Sequence, residues 1–181
     1  VMSLKTRFGN LGNILDFDNL TEEDIYVLDS PILTNSQFKK FNKLFSKKIK
    51  TIDCTFDVNQ NLKDRIELIR KESETAVREG STTLILSDKN ISNKKASIPS
   101  ILSVGAVHSH LVKHGLRGYC SLNVECSDAL DTHSFAVLIG VGATTINPYL
   151  AIDSIYERFE KKLFGKLDFK DCVLKFKKSI D

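Results

Sequence analysis

No stretch of this chain approaches the ~18 consecutive apolar residues that a membrane-spanning helix requires. Its first residues also lack the charged-then-apolar pattern of a secretory signal. Charge of one sign is scarce: 26 Lys and Arg stand against 23 Asp and Glu, a formal net charge of only +3. The lysines gather in two places, residues 39–50 and 161–178, which read as solvated helix faces. A nucleic-acid groove calls for basic residues interleaved with exposed aromatics and a higher pI. The four cysteines, Cys54, Cys120, Cys126 and Cys172, are too far apart for a zinc or iron–sulfur box. Three of them lie in or beside apolar runs, where a free cysteine behaves as a small buried hydrophobe. A reducing, cytoplasmic setting is the expectation.

What is present is the mixture of a globular domain. The chain has 181 residues, 41% hydrophobic and 27% charged. One domain of this size buries roughly 70% of its unfolded surface. It begins Val1-Met2 and stops at Ser179-Ile180-Asp181 inside a helical pattern, so we expect an excerpt of a longer polypeptide.

Residues 1–34 differ from the rest. Gly9, Asn10, Gly12 and Asn13 tolerate left-handed backbone, which predicts a tight loop over residues 8–13. Residues 14–33 mix acids with isolated apolar positions and end at Ser30-Pro31, where proline favours extended geometry in its predecessor. This stretch reads as an irregular N-terminal arm that packs on neighbouring domains. Residues 35–181 read as an α/β domain.

Within that domain Phe38, Phe41 and Phe45 share one face of a helix over about residues 35–47. Residues 50–55 read as a strand. Leu62, Ile66, Ile69, Ser73, Ala76 and Val77 recur at helical spacing, and Gly80 follows as a cap. Residues 82–87 (TTLILS) form the continuous β-branched and apolar run of a strand buried on both faces. Ser97 and Pro99 suit the first turn of a helix running to Gly115. Residues 120–125 are a third strand, and the helix after it ends at Gly140 or Gly142. Residues 144–147 are a short fourth strand that Pro148 ends. Helices over 149–163 and 169–180 close the chain.

The order from residue 50 is β-α-β-α-β-α-β-α with short connections, about four βα units around a mainly parallel sheet. Four units make either half of an eight-stranded barrel or a small open sheet, and periodicity alone does not choose.

The chemical motifs are thin. His110 and His114 are four apart on one helix and could hold a metal with a third ligand, but that helix carries no acid and His108 faces away. Asp131 or Thr132 suits a helix N-cap; a catalytic pair of Asp131 with His133 lacks a marked nucleophile. The Gly9–Asn13 glycines follow no strand, and Gly140-Val141-Gly142 stands in the reverse of the strand-to-helix order that cradles phosphate. The C-terminal ends of parallel strands form a ready crevice. Ser87-Asp88 and Ser127-Asp128 would be its polar contacts if the chain were an independent small-molecule-binding module.

Four blocks resemble one family. Residues 5–15 (KTRFGNLGNIL) and 29–34 (DSPILT) are similar to the start of the central domain of glutamate synthase large subunits. Residues 98–111 (IPSILSVGAVHSHL) resemble that family's IPxxLxxGAVHxHL, and residues 131–151 (DTHSFAVLIGVGATTINPYLA) its most distinctive block. The wording of the first and last blocks resembles the NAD(P)H-dependent branch more than the ferredoxin branch. The resemblance implies a rudimentary, half-barrel-like fold and a non-catalytic linking role. The parent enzyme would make two L-glutamates from L-glutamine, 2-oxoglutarate and a reductant. The partners it implies are an amidotransferase domain and an FMN-binding domain of the same chain, with a reductase small subunit in some forms. The cofactors it implies for the parent are FMN, an iron–sulfur cluster and NAD(P)H or ferredoxin; none is expected in this segment. Cytoplasm is the implied compartment, or plastid in a photosynthetic eukaryote. Val1 is not the amidotransferase's leading cysteine, so no catalytic, cofactor-binding or metal-binding residue carries over. Met2, Thr6, Ser30 and Thr34 are the candidate ammonia-path or interface residues, because the arm keeps the family's wording without core periodicity.

Overall fold

A computed structural model describes residues 4–8, 26–44 and 48–181. Of the loop expected over residues 8–13, Phe8 ends a strand and residues 9–13 lie outside the described residues, as do Met2 and Phe45. Eight strands and six α-helices are present among those described: β1 (Thr6–Phe8), β2 (Tyr26–Leu28), α1 (Asn35–Leu44), β3 (Ile49–Asp53), β4 (Thr55–Asp57), α2 (Leu62–Arg78), β5 (Thr83–Ser87), β6 (Lys95–Ser97), α3 (Ser100–Lys113), β7 (Ser121–Glu125), α4 (Thr132–Gly140), β8 (Thr145–Asn147), α5 (Tyr149–Glu160) and α6 (Phe169–Ile180).

The central sheet is parallel, with strand order β3-β5-β7-β8 and register Ile49 to Thr83, Thr83 to Ser121 and Asn123 to Thr145. Each βα unit therefore lays its strand beside the previous one, as in the wall of a barrel, but the sheet stays open. Right-handed crossovers in this monotonic order send successive helices to the same face. The core bears this out: Leu84, Leu86, Leu122, Val124 and Ile146 of the sheet pack with Ile69 of α2, Val104 and Leu111 of α3, and Phe135 of α4. Side chains alternate across a strand, so Ile85 points the other way and meets Leu33 and Phe38 under α1. Ile49 of β3 packs there too, and the remaining positions of that face are polar. Asn123, fully buried, donates to the Leu84 carbonyl and accepts from Thr145 Oγ1 at 2.6 Å.

The turns explain the helix ends. After α2, α3 and α4 the chain makes the same pair of closing bonds, for example Gly142 N–H to Ile139 O at 3.0 Å and Ala143 N–H to Leu138 O at 2.9 Å. These are the two bonds of a Schellman cap, whose first residue beyond the helix needs positive φ. Gly80, Gly115 and Gly142 occupy that position at +95°, +68° and +118°. After α5 the same position falls on Lys162, at φ 56°. The helix therefore stops at Glu160 rather than at Leu163.

Two further expectations are corrected. The strand expected over residues 50–55 is two: β3, and β4, which turns away to pair antiparallel with β6. Nothing in the sequence marks β6, because three residues within a polar loop give no period. Ser97 consequently does not open α3. It lies in β6 and donates to Asp88, and α3 begins at Ser100 with no side-chain cap from its own N-cap residue, Pro99.

The end of the arm is built into the sheet. Ile32 bridges in parallel to Ile146, with Leu33 N–H donating to the Ile146 carbonyl and Ile146 N–H to the Pro31 carbonyl, both at 2.8 Å. Asn147 Nδ2 donates to Leu33 O and Asn35 Oδ1, both at 2.9 Å. Ile32 and Leu33 are buried, so residues 30–34 cover the β8 edge, which would otherwise be exposed.

Candidate functional site

In an open parallel sheet, ligand-binding groups gather at the carboxyl ends of the strands. Here that rim carries Asp53, Asp88, Glu125 and Asp128, and each acid is engaged within the chain. Asp53 accepts from Thr55 N–H, Thr55 Oγ1 (2.7 Å) and Asn90 Nδ2, with Lys95 Nζ at 3.5 Å. Burial pushes its pKa up, and the Thr55 and Asn90 hydrogen bonds outweigh that to leave it below the ordinary value. Asp88 is buried and accepts through Oδ2 from Ser97 Oγ, Ser127 N–H and Ser127 Oγ (2.6 Å). Ser87 Oγ and Lys89 Nζ both donate to Glu125. Asp128 accepts from Ser100 N–H at 2.9 Å and Ser100 Oγ at 2.6 Å, and so caps α3 from a distant loop.

The groups expected to line a crevice, Ser87, Asp88, Ser127 and Asp128, thus tie the βα loops to one another. Asp88 Oδ1 is buried without a hydrogen-bond partner. The nearby Tyr149 phenol is pushed above its ordinary pKa by burial and then by Asp88.

The other candidates are also placed. Asp131 is the N-cap of α4, accepting from Ser134 N–H at 2.8 Å, while His133 is exposed beside it. The Ser134 hydroxyl beside the pair donates to Asp131 as part of the same cap rather than to His133, so the pair does not set up a base-activated nucleophile. His108 accepts from Arg117 Nε at 3.1 Å, and Arg117 also donates to Cys120 O and Gly142 O. His110 and His114 do meet an acid, but it comes from α2: Glu74 Oε2 lies 2.7 Å from His110 Nε2. The two residues are 36 positions apart, so helical spacing could not reveal the contact.

Of the arm residues, Thr6 Oγ1 donates to Thr144 O at 3.1 Å, and Ser30, which is buried, donates to Asp181 Oδ1 at 2.8 Å. Thr34 and Gln37 form a reciprocal capping box on α1: Thr34 N–H donates to Gln37 Oε1, and Gln37 N–H to Thr34 Oγ1. The Thr-x-x-Gln signal for this cap was readable in residues 34–37.

An iron–sulfur cluster does not fit this segment's thiols. All four cysteines are buried and free, and none joins a group of three metal-ligating side chains among the described residues. Burial pushes Cys54 up to about 12 and Cys120 to about 11, and raises Cys126 as well, which disfavours the thiolate a metal requires. A flavin phosphate fits no better. Among the described glycines with positive φ, Gly80, Gly115 and Gly142 lie before strands, at the end opposite the rim, Gly165 lies between α5 and α6, and the rim itself is acid-lined.

What the fold and rim define is an open, half-barrel α/β domain whose polar groups hold its own loops together. The match to known proteins makes this specific. The family model described as glutamate synthase central domain matches residues 1–181. The chain belongs to that family. It is 48% identical over its full length to the glutamate synthase [NADPH] large chain of Azospirillum brasilense, covering 12% of that protein. It is 39% identical to a ferredoxin-dependent glutamate synthase of Pyropia yezoensis over 85% of its length, and 38% identical to the NADPH large chain of Bacillus subtilis over 84%; it covers 10% of each. The chain thus spans about a tenth of the length of these curated relatives. No helix among the described residues is long and apolar enough to cross a membrane.

Proposed function

We propose that this chain is the connecting, non-catalytic domain of a glutamate synthase, holding an amidotransferase domain and an FMN-binding synthase domain in register. The observation that carries the reading is the rim, where every carboxylate closes a loop of this chain instead of facing a substrate space. In this reading the parent enzyme converts L-glutamine, 2-oxoglutarate and a reductant into two L-glutamates. FMN, the iron–sulfur cluster and the NAD(P)H or ferredoxin contact belong to its other domains or to a reductase subunit. The setting is cytoplasmic, or plastidic in a photosynthetic eukaryote.

A connecting domain has a physical task. Ammonia released into water is protonated and diluted, whereas a narrow protein path keeps it concentrated at the second site. We place the path-facing or interface contacts on the arm, at Met2, Thr6, Ser30 and Thr34. Thr6 and Ser30 are the informative pair, since their hydroxyls anchor the arm to the β8 side and to the chain's last residue. Thr34 also caps α1, so its replacement mixes two effects.

The test uses the full-length enzyme with Thr6→Phe or Ser30→Phe. Glutaminase and glutamate-forming rates should come apart, with glutamine hydrolysis exceeding glutamate formation. Unchanged stoichiometry in properly folded variants would remove the arm from the path. An isolated chain that hydrolysed glutamine would overturn the connecting role itself.

A further inference from the structure

Three side chains that play no part in the rim converge where α2 packs on α3. Glu74 lies on α2, His110 in the last turn of α3 and His114 at its C-cap. Glu74 Oε2 is 2.7 Å from His110 Nε2 and 4.0 Å from His114 Nε2, and one ligand atom from each residue lies within 4.8 Å of the others.

A carboxylate only accepts, so without metal His110 Nε2–H donates to Glu74 Oε2 at 2.7 Å; a metal ion would displace that proton and leave His110 as its Nδ1–H tautomer. A carbonyl oxygen can only accept, so the 2.8 Å contact of His114 Nδ1 with His110 O makes Nδ1 the donor. In the neutral ring His114 Nε2 is then an acceptor, and it faces a carboxylate oxygen that is also an acceptor. Two acceptors turned toward each other repel, and either a proton on Nε2 or a metal cation between them relieves the contact. Arg78 donates to Oε1 of Glu74 through Nε at 2.9 Å, which fixes the carboxylate and leaves Oε2 toward the imidazoles. A backbone carbonyl behind one histidine and a held carboxylate are the kind of outer support that ligating groups need.

We propose that Glu74 Oε2, His110 Nε2 and His114 Nε2 form a binding site for a divalent transition metal of the Zn2+ class, with solvent in the fourth position. Two imidazoles and one carboxylate suit Zn2+, Ni2+ or Cu2+ rather than Ca2+ or Mg2+. Tetrahedral zinc with bonds of ~2.0–2.1 Å sets its ligand atoms about 3.3 Å apart. The 2.7 and 4.0 Å separations to Glu74 Oε2 straddle that value, each within about 0.7 Å. The side chains are 18–33% exposed, so an ion can enter from solvent while two packed helices hold the ligands. The charge of Arg78 opposes the ion, so affinity should be moderate. The metal would clamp α2 to α3 and is independent of the connecting role proposed above.

The test is Co2+ and Zn2+ titration of the full-length protein carrying this chain, as wild type, His114→Gln, Glu74→Gln and Arg78→Ala. His114 is at a helix end and partly exposed, so its replacement leaves the fold intact, which far-ultraviolet circular dichroism checks. Wild type should bind one more equivalent than His114→Gln or Glu74→Gln. That extra equivalent of Co2+ should show the visible bands of a four-coordinate ion. Arg78→Ala should keep the equivalent, bound more tightly or unchanged. Equal stoichiometry and spectra in wild type and His114→Gln would overturn the proposal and leave the trio as a helix–helix hydrogen bond only.

Discussion

Replacing Gly142 with alanine should be among the most damaging single-methyl additions to this chain. At φ +118° an L side chain is strained, at a cost of roughly 1–2 kcal/mol. The added Cβ would also press on the His108 ring, against Nδ1 and only 2.6 Å from Cγ. His108 cannot swing clear without releasing Arg117 Nε, and Arg117 in turn donates to the Gly142 carbonyl at 2.9 Å. Overpacking of this kind adds about 1–3 kcal/mol. The sum is ~2–5 kcal/mol, on the order of 4–20 °C in Tm for a domain of this size. Gly80 supplies the control: it has φ +95° in the same cap geometry, but nothing lies within 4 Å of the place its methyl would take. Gly80→Ala should show the conformational cost alone, about 1–2 kcal/mol. Urea unfolding of wild type, Gly142→Ala, Gly80→Ala, His108→Ala and the double variant Gly142→Ala/His108→Ala measures each cost against its own parent. His108→Ala should bring the cost of Gly142→Ala down to the Gly80→Ala level. Equal costs at Gly142 and Gly80 with His108 in place would refute the reasoning.

Further outcomes follow from the same geometry. Lys162 holds the left-handed cap position after α5 at φ 56°, so Lys162→Gly should stabilise the chain by about 1 kcal/mol in thermal unfolding. Asp128→Ala removes both bonds to Ser100 and should cost ~1–2 kcal/mol, while amide exchange in the first turn of α3 should accelerate. The four buried thiols should resist a disulfide reagent at neutral pH in the folded chain and react together on unfolding. His108 is held below its ordinary pKa of 6.5, first by burial and then by Arg117. The unfolded chain therefore takes up this proton first. The stability from neutral His108 is present above about pH 6.5 and is lost as pH falls through the lower folded value. Stability curves of wild type and His108→Gln should converge toward acid; parallel curves would refute it.

Much of the architecture was legible because it is local. The run of residues 83–87 is buried at every position, the four parallel strands overlap the stretches expected for them, and Gly80, Gly115 and Gly142 end helices where a left-handed residue is needed. Helical and strand periods, caps and turn residues depend on neighbours a few positions away, so the chain's own order determines them. The family, too, could be recognised from contiguous blocks.

Tertiary structure alone decided the rest, because those relations join residues that the order keeps apart. Periodicity left half-barrel and open sheet undecided; the folded chain shows an open sheet, with Ile32 seated against Ile146 at the β8 edge. β4 and β6 are short and polar, and they become strands by pairing with each other. The polar groups after the strands looked like ligand contacts because sequence shows their chemistry but not their partners. Folding brings Ser127 to Asp88 and Ser100 to Asp128, turning a candidate crevice into a set of loop ties. Conversely, two histidines without an acid on their own helix acquire Glu74 from its neighbour. Hydrogen bonding acts over about 3 Å of space whatever the distance along the chain, and only the fold determines which groups meet.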